Sequence, residues 1–232
     1  MWAGIALKKI LIAGEAGQTT NYENALAAMQ VHFVTSLQVK DVDEYDGLLL
    51  PGGGDVDPKL FGQLLIPETE IRQYSRWEQQ LIRKGQEKLT PELDRIQLAI
   101  LKAFCQYRKP VFGICKGMQL INIAFGGDML RHLPTAVHHA YREKDQMHPA
   151  RNEVNSFLYE VYGSDMLVNS AHHQGVGIPG RGIRYVQYAP DGVVEGLQHE
   201  FLPVYGVQWH PEFAFEKDPE CLKLVQAFVD AC

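Results

Sequence analysis

The sequence is short of positive charge and has no long apolar run. Lys and Arg total 22 against 28 Asp and Glu, which gives a net charge of -6. A protein that binds nucleic acid along its phosphates needs a basic face, so this balance argues against that class. Apolar stretches such as 10–13 and 48–51 are far shorter than the ~18 residues of a membrane span. We therefore expect neither nucleic acid nor a membrane as a partner.

Cysteine is sparse, and no targeting segment stands out. The four cysteines form no Cys-x-x-Cys pair and are too few for a disulfide framework in 232 residues. A secretory signal places positive charge before an apolar run, whereas Lys8 and Lys9 split the N-terminal apolar stretch. We therefore expect a cytoplasmic protein whose cysteines act as separate thiols.

The composition is that of a folded globular protein. With 46% hydrophobic and 22% charged residues, the chain lacks the low hydrophobicity of disordered proteins. Its 232 residues fit one large domain or two small ones. Because no linker, repeat or low-complexity tract divides the sequence, we predict a single domain over residues 1–232.

Strand-like and helix-like segments alternate through the first half of the chain. Short apolar runs predict strands at 8–14, 31–35, 45–50 and 109–114. Helical spacing predicts helices at 21–29, 93–107 and 118–125, the second of them opened by Thr90 and Pro91. Such alternation is typical of an α/β fold with a central, mostly parallel sheet flanked by helices.

The second half of the chain lacks the regular alternation of strands and helices. Short strands are predicted at 159–161, 166–169, 184–189, 193–197 and 204–208, separated by Gly, Pro and Asp turns. Segment 63–92 is rich in alternating charges, which indicates a solvated helical excursion. A final helix at about 219–231 is expected to pack back on the sheet.

A cysteine flanked by glycines lies where a predicted strand meets a predicted helix. Gly113 and Gly117 stand two residues before and two residues after Cys115. A sharp strand-to-helix turn exposes its central side chain, and side chains at the flanking positions would crowd that turn. The helix N-terminus then favours a thiolate and an oxyanion. We predict that Cys115 is a nucleophile; the alternative is a buried structural thiol.

A thiol nucleophile needs a base, and His210 is the best placed of nine histidines. It follows an apolar strand and precedes a proline, which puts it at the carboxyl edge of the sheet, where sites of parallel sheets collect. Glu212 lies two residues on, and an extended segment would point both side chains to one side. Glu212 is therefore expected to orient the imidazole in a Cys-His-Glu triad. The alternative is a solvated His-Pro-Glu turn.

A glycine triplet, 52–54, follows the predicted strand at 45–50. Such a loop can present bare backbone N–H groups to a developing oxyanion. It lacks the Gly-Lys-Ser/Thr of a phosphate-binding loop and does not fit Gly-x-Gly-x-x-Gly before a helix, so nucleotide binding is not supported.

The middle of the chain is rich in histidine. The residues concerned are His132, His138, His139, His148, His172 and His173. Neither His-Glu-x-x-His nor a zinc-type Cys/His spacing occurs among them. On this pattern we predict no metal site.

Four segments in this order resemble the class I glutamine amidotransferase superfamily, and more closely its gamma-glutamyl-GABA hydrolase branch, the peptidase C26 group. They are DGLLLPGGGDVDP (46–58), KPVFGICKGMQLINIAFGG (109–127), VNSAHHQGV (168–176) and YGVQWHPEF (205–213). The resemblance covers most of the chain and implies a flavodoxin-like α/β domain with a nucleophile elbow.

The resemblance assigns catalytic roles to five residues. Cys115 is implied as the nucleophile, His210 as the base and acid, and Glu212 as the partner of His210. The oxyanion hole is implied at the backbone N–H groups of Gly53 and Lys116. Lys116 departs from the arginine common in this branch, but either residue supplies the same backbone donor.

The resemblance also implies a group of substrate-binding residues. They are Gly54, Gln119, His172, His173 and Gln174. Gln119 is similar to the residue that superfamily members use to grip the glutamyl moiety. Segment 172–174 is implied to line the same pocket, although a loop packed beneath the site is an equal alternative. Segment 63–92 exceeds what the family pattern matches, so its part in specificity stays open.

The implied reaction is hydrolysis of a gamma-glutamyl amide through a gamma-glutamyl thioester. It would release glutamate and an amine such as GABA, as in polyamine catabolism, without a metal or organic cofactor. We expect a free-standing hydrolase of a small-molecule substrate. A glutaminase subunit that delivers ammonia to a separate synthase, cleavage of polyglutamyl tails and a non-catalytic binding module are the alternatives. The oligomeric state, a homodimer included, is left open.

Overall fold

The computed structural model describes residues 8–213 and 219–232. Within these ranges the chain forms eleven strands: β1 (Lys9–Ile12), β2 (His32–Thr35), β3 (Gly47–Leu50), β4 (Val111–Ile114), β5 (Met129–Leu130), β6 (Gln146–Asn152), β7 (Asp165–Ser170), β8 (Gly175–Val176), β9 (Ile183–Tyr188), β10 (Val194–His199) and β11 (Val204–Val207). The same ranges contain seven α-helices: α1 (Thr20–Ala28), α2 (Glu68–Ile71), α3 (Arg76–Glu87), α4 (Pro91–Gln106), α5 (Lys116–Ala124), α6 (Phe157–Tyr162) and α7 (Leu222–Ala231).

Nine of the strands described form one sheet in the order β2-β1-β3-β4-β11-β10-β9-β6-β7. The first five strands in this order run parallel to one another, and β10, β9, β6 and β7 extend the sheet in antiparallel fashion. Strands β3 and β4 are buried along their whole length, as expected for parallel strands that are covered on both faces. The predicted α/β fold with a central, mostly parallel sheet is confirmed, and the antiparallel extension adds to it.

Alternate side chains of the central strands enter two separate cores. Leu48 and Leu50 pack in a core that includes residues of α4 and α5, such as Phe104. Leu49 lies in the opposite core with Leu26 of α1 and residues of α7. The period of two along a strand thus gives each face of the sheet its own helical layer.

The helices around the site follow the sequence closely. Helix α4 begins at Pro91 after Thr90 in the N-cap position, although the Thr90 side chain makes no capping hydrogen bond. Helix α7 packs on the sheet as predicted, with the rings of Phe112 and Phe228 5.7 Å apart between centroids. Segment 63–92 contains the helices α2 and α3, as predicted. Three of its own residues, Ile66, Ile71 and Ile82, form a small buried cluster.

Several elements of the second half differ from the sequence prediction: the two-residue strands β5 and β8 were not expected, and two longer elements differ as follows. Segment 159–161, predicted as a strand, belongs to helix α6, because the Ser156 side chain caps the helix and Gly163 ends it with φ 77°. These local caps outweigh the strand preference of its aromatic and branched residues. Strand β6 was not predicted, since its polar sequence QMHPARN shows no apolar alternation.

In the part of the chain that the structure describes, no helix is both long enough and apolar enough to span a bilayer.

Candidate active site

Cys115 occupies a strained turn between β4 and α5. Its backbone has φ 51° and ψ -107°, a conformation rare for a residue with a side chain. The Cys115 N–H donates to the Val207 carbonyl at 2.7 Å, and the Cys115 carbonyl accepts from the Gln119 N–H at 3.2 Å. The sharp turn is that of a nucleophile elbow.

The two glycines of the elbow are required by space. A Cβ on Gly113 would lie 2.6 Å from the carbonyl carbon of Gly117. A Cβ on Gly117 would collide with the Leu50 carbonyl oxygen of the neighbouring strand. Side chains at these positions would push α5 away from the sheet, so the spacing seen in the sequence has a direct steric cause.

His210 is held at the end of the sheet beside β11. Its Nδ1 lies 2.7 Å from Glu212 Oε1, and both side chains are buried. The predicted extended segment between the two residues is wrong: a 3-10 turn over Pro211–Phe213 brings Glu212 back to the ring. The turn achieves the same pairing by a different local geometry.

Gly52 is the point at which Cys115 and His210 meet. A Cβ on Gly52 would lie 3.0 Å from His210 Cε1 and 3.3 Å from Cys115 Cβ. Because Gly52 has no side chain, the side chains of Cys115 and His210 can both pack against its backbone. The structure thus brings together the thiol and imidazole that the sequence singled out.

The electrostatics of His210 reflect these neighbours. Burial by itself would lower the pKa of His210, but the charges of Glu212 and Cys115, together with hydrogen bonds to both, raise it well above the usual value. These neighbours therefore stabilise the positively charged form of His210.

Tyr22 is a residue of this site that sequence reasoning missed. Its hydroxyl accepts a hydrogen bond from the Gly52 N–H at 2.8 Å. Burial, followed by the charges of Glu212 and Cys115, raises the pKa of Tyr22 well above its usual value. Tyr22 lies in α1 without any motif around it, so only the packing of α1 against the sheet reveals its position.

The glycine-rich loop lies against the start of α5. A Cβ on Gly53 would be 3.1 Å from Lys116 Cδ, whereas one on Gly54 would find its nearest neighbour, the Lys88 carbonyl, at 3.9 Å. The Lys116 side chain is itself buried and forms an ion pair with buried Asp94. The first backbone N–H groups of α5 have no intrahelical acceptor, so they are available to an oxyanion.

The remaining predicted binding residues form a buried network. Gln119 Nε2 donates to Gln208 Oε1 at 3.1 Å and to the Gln174 carbonyl at 3.4 Å, and Gln174 Oε1 accepts from the Val56 N–H at 2.9 Å. His173 Nε2 lies 3.0 Å from Asp55 Oδ1, at the far end of the glycine-rich loop. Their roles as substrate contacts stay predictions.

His172 connects this network to a second buried group, because its Nδ1 lies 2.9 Å from the Gln174 carbonyl. Its Nε2 lies 3.5 Å from the buried Glu195 carboxylate. His139, His172 and Glu195 together offer ligand atoms within 4.8 Å of one another, which makes them a group able to hold a metal. The sequence did not suggest it, because the three residues lie in separate segments.

Two of the other cysteines, Cys105 and Cys232, carry thiols that are hard to ionise. Burial raises the pKa of Cys105 to about 11 and that of Cys232 to about 12. Both thiols therefore remain protonated at neutral pH.

Comparisons with known proteins agree with the fold and the motifs. The glutamine amidotransferase-like protein YvdE of Lactococcus lactis is 30% identical over 194 residues, covering 80% of this chain and 73% of that protein. Gamma-glutamyl-gamma-aminobutyrate hydrolase PuuD of Escherichia coli K12 is 29% identical over 216 residues, covering 85% and 76%. A glutamine amidotransferase structure from Thermotoga maritima has the same fold, with a TM-score of 0.62 at 13% identity over 97% of this chain and 96% of that one.

The family model of peptidase C26 matches residues 30–212. This range contains the elbow, the glycine-rich loop, His210 and Glu212. With a hydrolase among the relatives, the match supports hydrolysis as the general activity. The chain therefore belongs to the peptidase C26 family, within the class I glutamine amidotransferase-like proteins.

Proposed function

We propose that the protein hydrolyses the gamma-glutamyl amide bond of a gamma-glutamyl amine by covalent catalysis at Cys115. The observation that carries this proposal is the meeting of the strained Cys115 elbow with His210 at Gly52, with Glu212 on the other nitrogen of the ring. A charged imidazolium beside the sulfur favours the thiolate, which is the nucleophilic form.

In the first half-reaction the Cys115 sulfur attacks the gamma-carbonyl carbon, and the carbonyl oxygen becomes an oxyanion. The backbone N–H groups of Gly53 and Lys116 donate to this oxyanion. The C–N bond then breaks, and His210 gives its proton to the departing amine. A gamma-glutamyl thioester remains on Cys115.

In the second half-reaction water attacks the thioester carbonyl. His210, now neutral, takes a proton from the water, and the C–S bond breaks to release glutamate and restore the thiolate–imidazolium pair. Glu212 holds the imidazole in the required orientation and stabilises its charged form. Gly54, Gln119, His173 and Gln174 are proposed to contact the glutamyl part, and His172 to support them from behind.

A cavity beside His210 favours an amine larger than ammonia as the leaving group. It has a volume of about 520 Å³, and its lining includes Met147, Met166, Trp209 and Phe213. A leaving group next to the proton donor would enter this largely apolar space. The name of the Escherichia coli relative points to a gamma-glutamyl amine in the same way.

The test compares gamma-glutamyl-GABA with glutamine as substrates. We expect the parent protein to release glutamate and GABA, and the Cys115→Ala variant to be slower by at least about a thousandfold. Cys105→Ala is the matched control, because it removes a partly buried thiol elsewhere, and it should keep the parent rate. Mass spectrometry of quenched reactions should find the glutamyl adduct on the Cys115 peptide.

Three results would reject parts of this proposal. Glutamate release by Cys115→Ala at the parent rate would rule out the covalent mechanism. Turnover of glutamine alone, stimulated by a co-purifying protein, would instead favour a glutaminase subunit that feeds ammonia to a synthase. Absence of turnover with every gamma-glutamyl amide would favour a non-catalytic binding module.

A further inference from the structure

A second cluster of titratable side chains is buried around Glu195 on β10. Its carboxylate is fully buried and lies near three imidazoles. The distances from Glu195 Oε1 are 3.4 Å to His139 Nδ1, 3.5 Å to His148 Nε2 and 3.5 Å to His172 Nε2. Neither Cys115 nor His210 belongs to this cluster.

These separations are too long for strong hydrogen bonds between charged groups, which are about 2.7–2.9 Å. Among the described residues, neither oxygen of Glu195 has a hydrogen-bond partner, and the same holds for His148 Nε2 and His172 Nε2. Burying a carboxylate that has no hydrogen-bond partner is strongly unfavourable. A positive charge at the centre of the cluster would remove this cost.

The far side of each ring shows which nitrogen carries the proton. His172 Nδ1 lies 2.9 Å from the Gln174 carbonyl, and His148 Nδ1 lies 3.0 Å from the Pro149 carbonyl. Because a carbonyl can only accept, these nitrogens are the donors. In the neutral rings the nitrogens that face Glu195 therefore present lone pairs to an anion.

His139 follows the same pattern with a carboxylate as its outer partner. Its Nε2 lies 2.9 Å from Asp191 Oδ2, while its Nδ1 lies 3.4 Å from Glu195 Oε1 and 3.3 Å from the Ser170 hydroxyl, a contact that a cation would replace. An imidazole that donates outward to a carboxylate or carbonyl and turns its other nitrogen inward is the usual arrangement of a metal-bound histidine.

We propose that this cluster binds a divalent transition-metal cation of the zinc type, with His139 Nδ1, His172 Nε2 and Glu195 as its three protein ligands and His148 beside them. Zinc bonds to nitrogen and oxygen of ~2.0–2.2 Å in a tetrahedron place the ligand atoms about 3.3–3.5 Å apart. The distances from Glu195 to the three imidazoles match that spacing.

Charge and access agree with this assignment. The carboxylates of Glu195 and Asp191 balance the two positive charges of the cation when the imidazoles are neutral. A cleft of about 420 Å³ borders the cluster and is lined by His139, His148 and Asp191, which gives an ion a route from solvent. Imidazole and carboxylate ligands suit zinc, cobalt and nickel better than calcium or magnesium.

The site would join three parts of the chain. His139 follows a 3-10 turn over Ala136–His138, His172 follows β7, and Glu195 belongs to β10. A cation here would tie the connection after β7 to the sheet and thereby fix the segment that carries Gln174. This role is structural and does not depend on the proposed hydrolysis.

Metal binding can be measured without any assay of activity. The protein is stripped with a chelator and dialysed, and zinc is then added back. We expect about one zinc per chain by elemental analysis and a rise of about 5–10 °C in the thermal midpoint at a zinc concentration well above the dissociation constant. Cobalt in place of zinc should give the visible absorption of a tetrahedral site.

Variants separate this site from surface binding. Glu195→Gln and His172→Gln should each lower cobalt affinity at least tenfold and weaken the visible absorption, whereas His148→Ala, which removes a partly exposed neighbouring ring, should lower the affinity less. His138→Ala is the matched control, since it removes a neighbouring exposed histidine, and it should bind as the parent does. Failure of the parent to bind zinc or cobalt stoichiometrically would overturn the proposal. So would a loss of cobalt affinity in His138→Ala as large as in the ligand variants. In either case a proton shared among the side chains of the cluster would take the place of the cation.

Discussion

Asn169 holds both backbone polar groups of His210. Its Oδ1 accepts from the His210 N–H at 2.9 Å, and its Nδ2 donates to the His210 carbonyl at 3.1 Å. One side chain at the end of β7 thus sets the position of the proposed base, because it leaves neither backbone group free to shift.

Loss of this clamp should affect the rate more than substrate binding. We expect Asn169→Ala to lower kcat about 10- to 100-fold with a small change in KM, since a displacement of the base by about 1 Å can cost that much. Steady-state kinetics would measure the split. Asn169→Asp, which keeps the acceptor, should recover part of the rate, and Asn21→Ala on the exposed face of α1 should match the parent. A change in KM alone would contradict the positioning role.

The charge of Glu212 should set the alkaline limit of activity. The pKa of His210 is raised, so its imidazolium persists above the ordinary value of about 6.5, and activity that needs this proton declines only as the pH rises through the raised pKa. Glu212→Gln removes the charge, and the alkaline limb of kcat/KM should therefore move to lower pH while the rate falls about 10²- to 10⁴-fold. Glu200→Gln, an exposed carboxylate, is the control. An unmoved limb would mean that another group sets it.

Replacing a glycine of the elbow by alanine should destabilise the protein. Gly117→Ala would force its methyl group against the Leu50 carbonyl oxygen. We expect a loss of about 1–3 kcal/mol in the free energy of unfolding, measured by urea denaturation. Gly54→Ala, where the nearest atom would be 3.9 Å from the new methyl group, should cost much less. Equal stability of the two variants would show that the turn can relax.

The side chain of Lys116 should matter for stability rather than for chemistry. Lys116→Met keeps the backbone N–H proposed for the oxyanion hole but leaves buried Asp94 without its partner. We expect a destabilisation of about 3–5 kcal/mol. The double variant Lys116→Met/Asp94→Leu should regain most of it, and its kcat should stay within a few-fold of the parent. If the double variant were as unstable as the single one, loss of packing would be the cause.

Several parts of the site could be predicted from local sequence. The elbow depends on two glycines and a strand-helix boundary that lie within five consecutive residues. Helix α6 could not be predicted in this way. Its composition favours a strand, and the structure shows that the caps at Ser156 and Gly163 nevertheless make it helical. Strand β6 could not be predicted from its own sequence either, because it is the pairing with β7 and β9 that keeps it extended and not an apolar pattern of its own.

By itself the sequence determined the alternation of strands and helices, the sharp turn at Cys115 and the family, since each depends on short-range spacing of residue types. Only the tertiary structure decided that Tyr22 contacts the glycine-rich loop, that Asn169 clamps His210 and that three histidines surround Glu195. The physical reason is that these contacts join residues far apart in the chain. Their spacing in sequence carries no signal, because it is the order of strands in the sheet that makes them neighbours.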